Sequence, residues 1–346
     1  MRVSLDSLGA RNDGIYNNAS IIQGAIDSVH DAGGGQVVIP GGGIYLSGSI
    51  QLKAHVDLHL ESGAVLRASS DYADYTDNHN IKNLTNGAVD EFVLPQRAFI
   101  AAYKAHGARI SGHGTIDGNA DGFIAERGQY IHKMRGPVGG KDQYLERPFA
   151  VFMIECKNLT IRDVTIVDPA FWALRTTGCN ELLIDGIRIL TDLMVPNADG
   201  VDIDRCQNVR IVNCEFVTAD DCISLKSCSQ TSQYGDVANI IISNCIMTST
   251  SGAITLSGVG SNSANASNWD IQFASSGNVV SSAGQVTFLG ANTTGGLLFS
   301  YATVTSSAGI TVRCPQMDFS VTTFNGPGPV VLEPPDSFGD EPLIEA

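Results

Sequence analysis

The chain has 346 residues, and its formal net charge of −15 makes it strongly acidic. Nucleic acids and anionic membrane surfaces are therefore poor partners, because they carry the same sign of charge. No apolar stretch approaches the length of a membrane span, so we predict no membrane partner. A globular chain of this size would often divide into two domains, whereas a repeating fold grows without enlarging its core.

The first predicted element is an amphipathic helix over residues 18–31. Its apolar stripe at helical spacing comprises Ile21, Ile22, Ala25, Ile26 and Val29. Asn17 and Asn18 precede the stripe as candidate caps, and three consecutive glycines at 33–35 end the helix. The following residues, 36–40, begin strand structure. A solenoid has an open end, and a short helix of this kind is suited to cover it.

Four strand-like runs in the middle of the chain repeat at similar intervals. They begin at Asn158, Glu181, Asn208 and Asn239, which are 23, 27 and 31 residues apart. Intervals in this range, built from short β-rich segments, indicate a solenoid. Apolar residues alternate within each run, so one side faces a common interior. The sequence therefore predicts an all-β protein, a single-stranded right-handed parallel β-helix with an N-terminal amphipathic helix cap.

The same reasoning predicts one domain and a short tail. Residues 1–330 form a single parallel β-helix domain, and residues 331–346, rich in proline and acid, form a C-terminal tail. No signal peptide opens the sequence, so we expect an extracellular protein if a leader was removed and a cytoplasmic one otherwise. The oligomeric state is left open.

The eight cysteines lack the paired spacing that metal sites commonly use. Cys156, Cys179 and Cys206 each lie just before a strand, so we predict that they stack in a column at one turn. Small half-buried thiols are the favoured interpretation, and disulfides between stacked neighbours are the alternative. We predict no metal ion and no cofactor.

Two acidic motifs carry the functional hypothesis. Aligning the apolar residues of 197–203 and 220–225, which lie 22 residues apart, brings Asp199 against Asp221. Asp220 directly precedes Asp221, and their side chains can face the same cleft if both residues occupy the bend before the strand. Three carboxylates on neighbouring strands suit acid/base cleavage of a glycosidic bond. Capping a turn and binding a surface cation are the alternative uses of such residues.

The stretch from Arg147 to Ser227 resembles glycoside hydrolase family 28, the polygalacturonase family. The matching elements include Arg147-Pro148, Pro169-Ala-Phe-Trp-Ala-Leu, Asn197-Ala-Asp-Gly-Val-Asp and Asp220-Asp-Cys-Ile-Ser-Leu-Lys. The N-terminal part resembles the wider group of pectin-lyase-like β-helices, phage tailspikes included. The resemblance is good to about residue 260 and poor afterwards.

The resemblance implies a hydrolase that cleaves α-linked galacturonate-type, pectic polysaccharide with inversion at the anomeric centre. Asp220 corresponds to the general acid, and Asp199 and Asp221 correspond to the carboxylates that activate water. Inverting enzymes hold acid and base roughly 6.5–9.5 Å apart, and we expect the diagonal from Asp220 to Asp199 near the lower end. Crowding is expected to raise the pKa of at least one carboxylate. The predicted substrate-binding residues are Asn197, Asp202, Lys226 and Arg313.

The chain departs from two motifs of that family. Gly252 stands where the family has the histidine of Gly-His-Gly, and every histidine lies at or before His132. The family's Arg-Ile-Lys grips the sugar carboxylate, but its nearest match here has Thr311 in place of the Arg and keeps a cation only at Arg313. A substitute clamp built from Lys226, Arg205 or Arg175 is one interpretation. A neutral sugar and a decaying catalytic machinery are the others.

A polysaccharide or oligosaccharide is thus the predicted partner. The alternative hypothesis is a catalytically weakened or inactive carbohydrate-binding protein of the tailspike type. The missing histidine and arginine favour that alternative, whereas the three carboxylates favour the enzyme. A lyase on the same fold is less favoured, because cations are scarce around the acidic motifs.

Overall fold

The computed structural model describes residues 1–76, 97–126, 133–134, 147–195 and 197–249, and beyond residue 249 the strands named below. Each turn of the chain passes through three parallel sheets in succession, so that strands of successive turns stack as rungs. Crossover connections between parallel strands of one sheet are right-handed in almost all proteins. The predicted right-handed parallel β-helix is confirmed.

Sheet A contains eleven of the described strands, namely Arg2–Ser4, Gly35–Ile39, Val56–Leu60, Arg109–Gly112, Lys157–Arg162, Asn180–Asp185, Gln207–Val212, Ala238–Ser243, Ile271–Ala274, Leu297–Ser300 and Met317–Ser320. Sheet B contains ten, namely Gly43–Ser47, Ala64–Ala68, Thr115–Asp117, Thr165–Val167, Arg188–Leu190, Glu215–Thr218, Ile246–Ser249, Asn278–Ser281, Thr303–Ser306 and Thr323–Asn325. Sheet C contains six, namely Ile50–Leu52, Ala98–Tyr103, Phe149–Ile154, Leu174–Thr177, Val201–Asp204 and Ile223–Lys226.

Sheet D continues the side of the helix that sheet C begins. Its described strands are Ile254–Gly258, Val286–Gly290, Ile310–Arg313 and Val330–Glu333. The first of them lies beside Ile223–Lys226 without joining it in one hydrogen-bonded sheet. The last runs into the segment predicted as a tail, whereas residues 334–346 lie outside the described residues. The predicted domain boundary stays a prediction.

Short elements complete the described part of the chain. The strands Ile124–Glu126 and Lys133–Met134 form an antiparallel pair. Single-turn 3-10 helices span Leu5–Leu8, Tyr72–Asp74 and Ala120–Gly122, and a longer one spans Ser229–Tyr234. Among the described residues, no helix is long and apolar enough to span a membrane.

The N-terminal helix spans Ala19–Asp31 and covers the first rungs, as predicted. Ile22, Ala25, Ile26 and Val29 are buried against the strands, so the amphipathic stripe closes the open end of the apolar interior. Of the two candidate caps, Asn17 accepts a hydrogen bond at its Oδ1 from the backbone N of the first helical residue at 3.0 Å, whereas Asn18 makes no side-chain capping bond.

The glycine run after the helix is required by a close approach of two backbones. Gly35 adopts a φ of +145°, and a Cβ there would lie 1.9 Å from the carbonyl oxygen of Met1. The strand that begins at Gly35 therefore pairs with Arg2–Ser4 only because no side chain intervenes.

Residues in equivalent positions of successive rungs form apolar columns inside the helix. One such column consists of Leu159, Leu182, Val209 and Ile240, all nearly inaccessible to solvent. The register reproduces the predicted spacing of 23, 27 and 31 residues. Each of these strands begins one residue earlier than predicted. The repeat read from the sequence is therefore the rung of the structure.

Asparagines occupy the corners between the sheets and form ladders of their own. Asn208 and Asn239 have φ values of 56° and 57°, in the left-handed region that asparagine tolerates better than most residues. Asn239 Nδ2 donates to Asn208 Oδ1 at 2.9 Å, and Asn208 Nδ2 donates to Asn180 Oδ1 at 2.9 Å. These amides satisfy one another where the chain turns.

The predicted cysteine column is present. Cys156, Cys179 and Cys206 are buried in successive rungs, and the backbone N of Cys179 donates to Cys206 Sγ at 3.3 Å. The described cysteines are free thiols. This agrees with the interpretation as small buried side chains, and Cys314 lies outside the described residues.

Candidate active site

The two acidic motifs lie on neighbouring rungs of sheet C in the predicted register. Val201 pairs with Ile223 and Ile203 with Leu225, so Asp199 stands beside Asp221. The backbone N of Gly200 donates to the carbonyl oxygen of Asp221 at 2.8 Å, which fixes the two rungs together just before the strands begin.

Gly200 allows this approach. A Cβ at that position would lie 2.3 Å from the carbonyl oxygen of Cys222, a contact that side chains do not tolerate. The glycine between Asp199 and the strand is therefore a condition for bringing the two carboxylates side by side.

Asp220 and Asp221 lie in the bend before the strand Ile223–Lys226, as predicted. Thr218 Oγ1 donates to the carbonyl oxygen of Asp220 at 2.7 Å, and the backbone N of Ala219 donates to Thr191 Oγ1 at 2.9 Å. These bonds hold the bend, so successive residues direct their carboxylates to one place although a straight strand would separate them.

The carboxylate cluster, defined as Asp199, Asp220 and Asp221, is compact. One oxygen from each residue lies within 4.8 Å of the others. Asp199 is 3% exposed, Asp221 is half-buried and Asp220 is exposed. The sequence predicted that these residues converge, but a spacing of about 6.5 Å between acid and base was expected, and the oxygens are closer.

Burial and mutual repulsion shift the protonation of the cluster. Burial raises the pKa of Asp199 well above its ordinary value, and the carboxylates of Asp202 and Asp220 add to the increase. Burial also raises the pKa of Asp221. The expectation that at least one pKa rises is thus met, with burial as the larger cause. The raised values belong to the two residues assigned to water activation.

A lysine and an aspartate lie beneath the cluster. Lys226 Nζ is 3.2 Å from Asp202 Oδ1, and the Asp202 side chain has no exposed surface. Burial raises the pKa of Asp202 to about 6, although the charges of Lys226 and Arg175 oppose the increase. Asp202 was predicted to contact substrate. Its carboxylate is covered and faces Lys226 instead.

Asn197 is held by a buried arginine. Arg147 Nη2 donates to Asn197 Oδ1 at 3.0 Å, and Arg147 Nη1 donates to the carbonyl oxygen of Ala170 at 3.1 Å. Asn197 adopts a φ of 55° two residues before Asp199. Its side-chain carbonyl therefore positions the loop that leads into the cluster, and its contact with substrate stays a prediction.

Two arginines considered as a substitute clamp are engaged elsewhere. Arg175 is 1% exposed and donates to Asp204 Oδ2 at 3.1 Å. Arg205 donates to the carbonyl oxygens of Ser227, Cys228 and Gly235 at 2.8–3.0 Å. Both guanidinium groups hold the chain in place, so neither replaces the family's clamp in this structure.

The positions of the two missing motifs are only partly described. Gly252 lies outside the described residues. Thr311 and Arg313 belong to the third described strand of sheet D, where Arg313 pairs with Leu289, and Leu289 pairs in turn with Ser257. Arg313 is therefore two rungs beyond the first strand of sheet D. Its contact with substrate stays a prediction.

Trp172 is a site residue that the sequence reasoning did not single out. Leu174 pairs with Val201, which places Trp172 beside Asp199 on the preceding rung. The indole is 9% exposed and stacks on Phe171 with ring centroids 5.2 Å apart. Extending the alignment of the acidic motifs back by one rung would have found it, because the motif Pro169-Ala-Phe-Trp-Ala-Leu was already recognised.

The chemistry of the cluster is that of proton transfer. Converging carboxylates share protons and attract positive charge, and one oxygen from each of these three residues lies within 4.8 Å of the others. The ammonium of Lys226 already supplies a positive charge beside them. The arrangement can donate a proton from one carboxyl group and accept one at another.

Comparison with known sequences identifies the family. The sequence model of Glycosyl hydrolases family 28 matches residues 61–286, which is more than half of the chain. The chain belongs to family 28. Its sequence is 31% identical to a protein named "Probable polygalacturonase" from Vitis vinifera over 228 residues, which cover 65% of this chain and 44% of that relative. The chain spans less than half the length of the first curated relatives it matches.

Solved structures share the family 28 fold at lower sequence identity. An exopolygalacturonase from Thermotoga maritima superposes with a TM-score of 0.64 and 16% identity, covering 96% of this chain and 91% of that one. The surface adhesin PfbA of Streptococcus pneumoniae superposes with a TM-score of 0.55 and 17% identity, covering 96% and 100%. The fold alone therefore does not distinguish an enzyme from a binding protein.

Proposed function

We propose that this family 28 protein is a glycoside hydrolase that cleaves α-linked galacturonate-type, pectic polysaccharide. The observation that carries the proposal is the carboxylate cluster, in which three acidic oxygens meet within 4.8 Å at differing depths. Family membership supports the reaction class, and the similarity to the probable polygalacturonase of Vitis vinifera supports the substrate class.

The three carboxylates have different environments, which suits a division of roles. Asp220 is exposed and can reach the oxygen of the leaving sugar, so we assign it as the general acid. Asp199 and Asp221 stand side by side on adjacent rungs and can hold one water between them, which they activate for attack. Their raised pKa values strengthen them as proton acceptors once they are ionised.

Inversion at the anomeric carbon is part of the proposal. Resemblance to the family supports it. The short distances within the cluster are nearer to the roughly 5–5.5 Å typical of retaining enzymes. The anomeric form of the first product distinguishes the two outcomes, and proton NMR of a fresh digest measures it directly. Inversion predicts that the first product has the opposite anomeric configuration to the substrate linkage.

A catalytically weakened or inactive carbohydrate-binding protein is the second candidate. Gly252 in place of the family's histidine favours it, because loss of a group that takes part in proton transfer slows a reaction by about 10²–10⁴-fold. Thr311 in place of the family's Arg also favours the second candidate, because the absence of that Arg weakens recognition of a galacturonate carboxylate.

A reducing-end assay on polygalacturonate and on neutral polysaccharides tests both candidates. Asp220→Asn removes the proposed acid, and Asp163→Asn is the matched control, because Asp163 is a partly exposed carboxylate that pairs with Arg162 away from the cluster. Hydrolysis requires new reducing ends in wild type and control and none above background in Asp220→Asn. Binding of polygalacturonate without reducing ends in any variant would establish the binding protein. Ultraviolet absorbance from an unsaturated product would indicate a lyase.

A further inference from the structure

Lys226 is the last residue of the strand Ile223–Lys226. It pairs in register with Asp204, but its side chain runs back across sheet C toward the preceding rungs. Its Nζ lies 3.2 Å from Asp202 Oδ1 and 4.6 Å from the centroid of the Trp172 ring. The side chain is 17% exposed, so the ammonium lies mostly below the surface.

Two contacts fix the position of this ammonium. Asp202 holds it from the neighbouring strand, and Trp172 presents a ring face to it, a favourable site for a cation. Trp172 is also the register neighbour of Asp199. The charge is therefore held against the side of the carboxylate cluster and not directed into solvent.

Every charge that faces this ammonium most closely is negative. Asp202 contributes most, followed by Asp199 and Asp221, and together they raise the pKa of Lys226 although burial opposes its charge. Asp220 faces Asp199 and Asp221 from the exposed side, and Arg175 faces Asp202 from the preceding strand. The lysine stays protonated through the working range of any glycosidase.

We propose that Lys226 is a positioning residue of the reaction, whose buried ammonium, held by Asp202 and Trp172, favours the ionised forms of Asp199 and Asp221, which accept a proton from water. The proposal rests on the proposed hydrolase function. It assigns Asp202 a role as the anchor of Lys226. It also removes Lys226 from the set of residues that bind the substrate carboxylate.

The geometry explains why a fixed cation is needed here. Asp199 is almost fully buried, and its Oδ1 has no hydrogen-bond partner among the described residues. Burial favours the protonated form of Asp199, and a protonated Asp199 cannot accept another proton from water. Lys226 opposes this effect on both Asp199 and Asp221.

The first test measures the carboxyl groups themselves. Carbon NMR titration of aspartate-labelled protein follows Asp199 and Asp221 in wild type, in Lys226→Met and in Lys226→Arg. Methionine keeps the apolar stem against Trp172 and removes the charge, whereas arginine keeps the charge. We expect both titration midpoints to move to higher pH in Lys226→Met and to stay near the wild-type values in Lys226→Arg. Unchanged midpoints in a folded Lys226→Met variant would overturn the proposal.

The second test separates positioning from substrate binding. In Lys226→Met, we expect kcat on polygalacturonate to fall and the acidic limb of its pH profile to move to higher pH, with KM nearly unchanged. At pH values on the acidic limb, kcat of Lys226→Met should fall below that of wild type by about tenfold for each pH unit by which the limb moves. A raised KM on polygalacturonate, with kcat and pH profile unchanged, would instead make Lys226 a ligand of the substrate carboxylate and overturn the proposal.

A third variant covers the case in which Lys226→Met does not fold. Lys226→Gln also removes the charge but keeps a polar group beside Asp202, and we expect the same direction of change in the kcat profile, because the charge of Lys226 lowers the pKa of Asp199 and Asp221. An unaltered profile in folded Lys226→Gln would overturn the proposal. Shifted midpoints in a protein without turnover on any polysaccharide would overturn the proposed hydrolase function and still support the effect of the lysine.

Discussion

Two buried ion pairs lie next to each other on the outer face of sheet C, and their carboxylates differ in how well they are hydrogen-bonded. Arg175 and Asp204 form one pair, with 1% and 0% of their side chains exposed. Asp204 also accepts hydrogen bonds from Thr231 Oγ1 at 2.9 Å and from the backbone N of Cys228 at 3.3 Å. This pair fastens the chain after Ile223–Lys226 onto the sheet.

The second pair, Asp202 and Lys226, has no such support. Neither oxygen of Asp202 has a partner in hydrogen-bonding geometry among the described residues, and burial raises its pKa to about 6. Buried polar groups are normally hydrogen-bonded, and exceptions are common where a site has a function. The pair whose carboxylate lacks hydrogen bonds is the one that borders the carboxylate cluster. The difference separates residues that hold the fold from residues that adjust the site.

The largest expected effect belongs to the cluster that the second pair borders. Asp220→Asn should lower the rate of polygalacturonate cleavage by about 10²–10⁴-fold, because it removes the proposed proton donor. Asp220 is exposed, so the fold should not change. Reducing-end kinetics and thermal unfolding measure the two effects. Full activity in a folded variant would refute the assignment of the acid.

Breaking the Arg175–Asp204 pair should lower the stability of the protein and leave the chemistry unchanged. Arg175→Met leaves the buried Asp204 charge uncompensated, and removal of one partner from such a pair typically destabilises a protein by about 3–5 kcal/mol. Arg188→Met is the control, because Arg188 pairs with Glu215 at the surface and exposed pairs contribute about 0–1 kcal/mol. Denaturant unfolding compares them. If Arg175→Met lost no more stability than Arg188→Met, the Arg175–Asp204 pair would not have the structural role proposed for it.

Breaking the Asp202–Lys226 pair should destabilise the protein less. In Lys226→Met, the buried Asp202 can take up a proton, because its pKa is already raised to about 6 with the lysine present. The difference in free energy of unfolding between wild type and Lys226→Met should become smaller as the pH falls below about 6. There Asp202 is protonated in both proteins, so the ion pair no longer contributes to stability. Unfolding at pH 5 and pH 7.5 measures this. A loss equal to that of Arg175→Met at both pH values would contradict it.

The contrast also shows what the sequence could predict. The rungs follow from a repeat of 23 to 31 residues whose apolar columns must stack, so the register that joins Asp199 to Asp221 was predictable. Side chains on the outer face carry no such periodicity. Nothing local shows that Lys226 turns back toward Trp172, or that Asp202 is covered, because both depend on what packs over the sheet. The short distances within the cluster likewise depend on the bend at 219–222, which the register does not define.

The smallest effect is an expected gain in stability. Asp199 has a raised pKa in the folded protein, so between its unfolded value near 4 and the folded value the native state binds more protons than the unfolded state. The free energy of unfolding therefore falls as the pH rises through this range. Asp199→Asn removes this pH dependence, so the variant should be more stable than wild type at pH 7. Its free energy of unfolding should also decrease less between pH 4.5 and pH 7.

Denaturant unfolding at those two pH values, alongside Asp163→Asn as the surface control, measures this gain. The gain is expected to accompany a loss of activity, because the burial that destabilises the charged carboxylate is also what strengthens it as an acceptor of protons. If the free energy of unfolding of Asp199→Asn changed with pH as much as that of wild type, ionisation of Asp199 would not destabilise the native state. The lysine beside it would then have nothing to offset, and the difference between the two ion pairs would be one of packing alone.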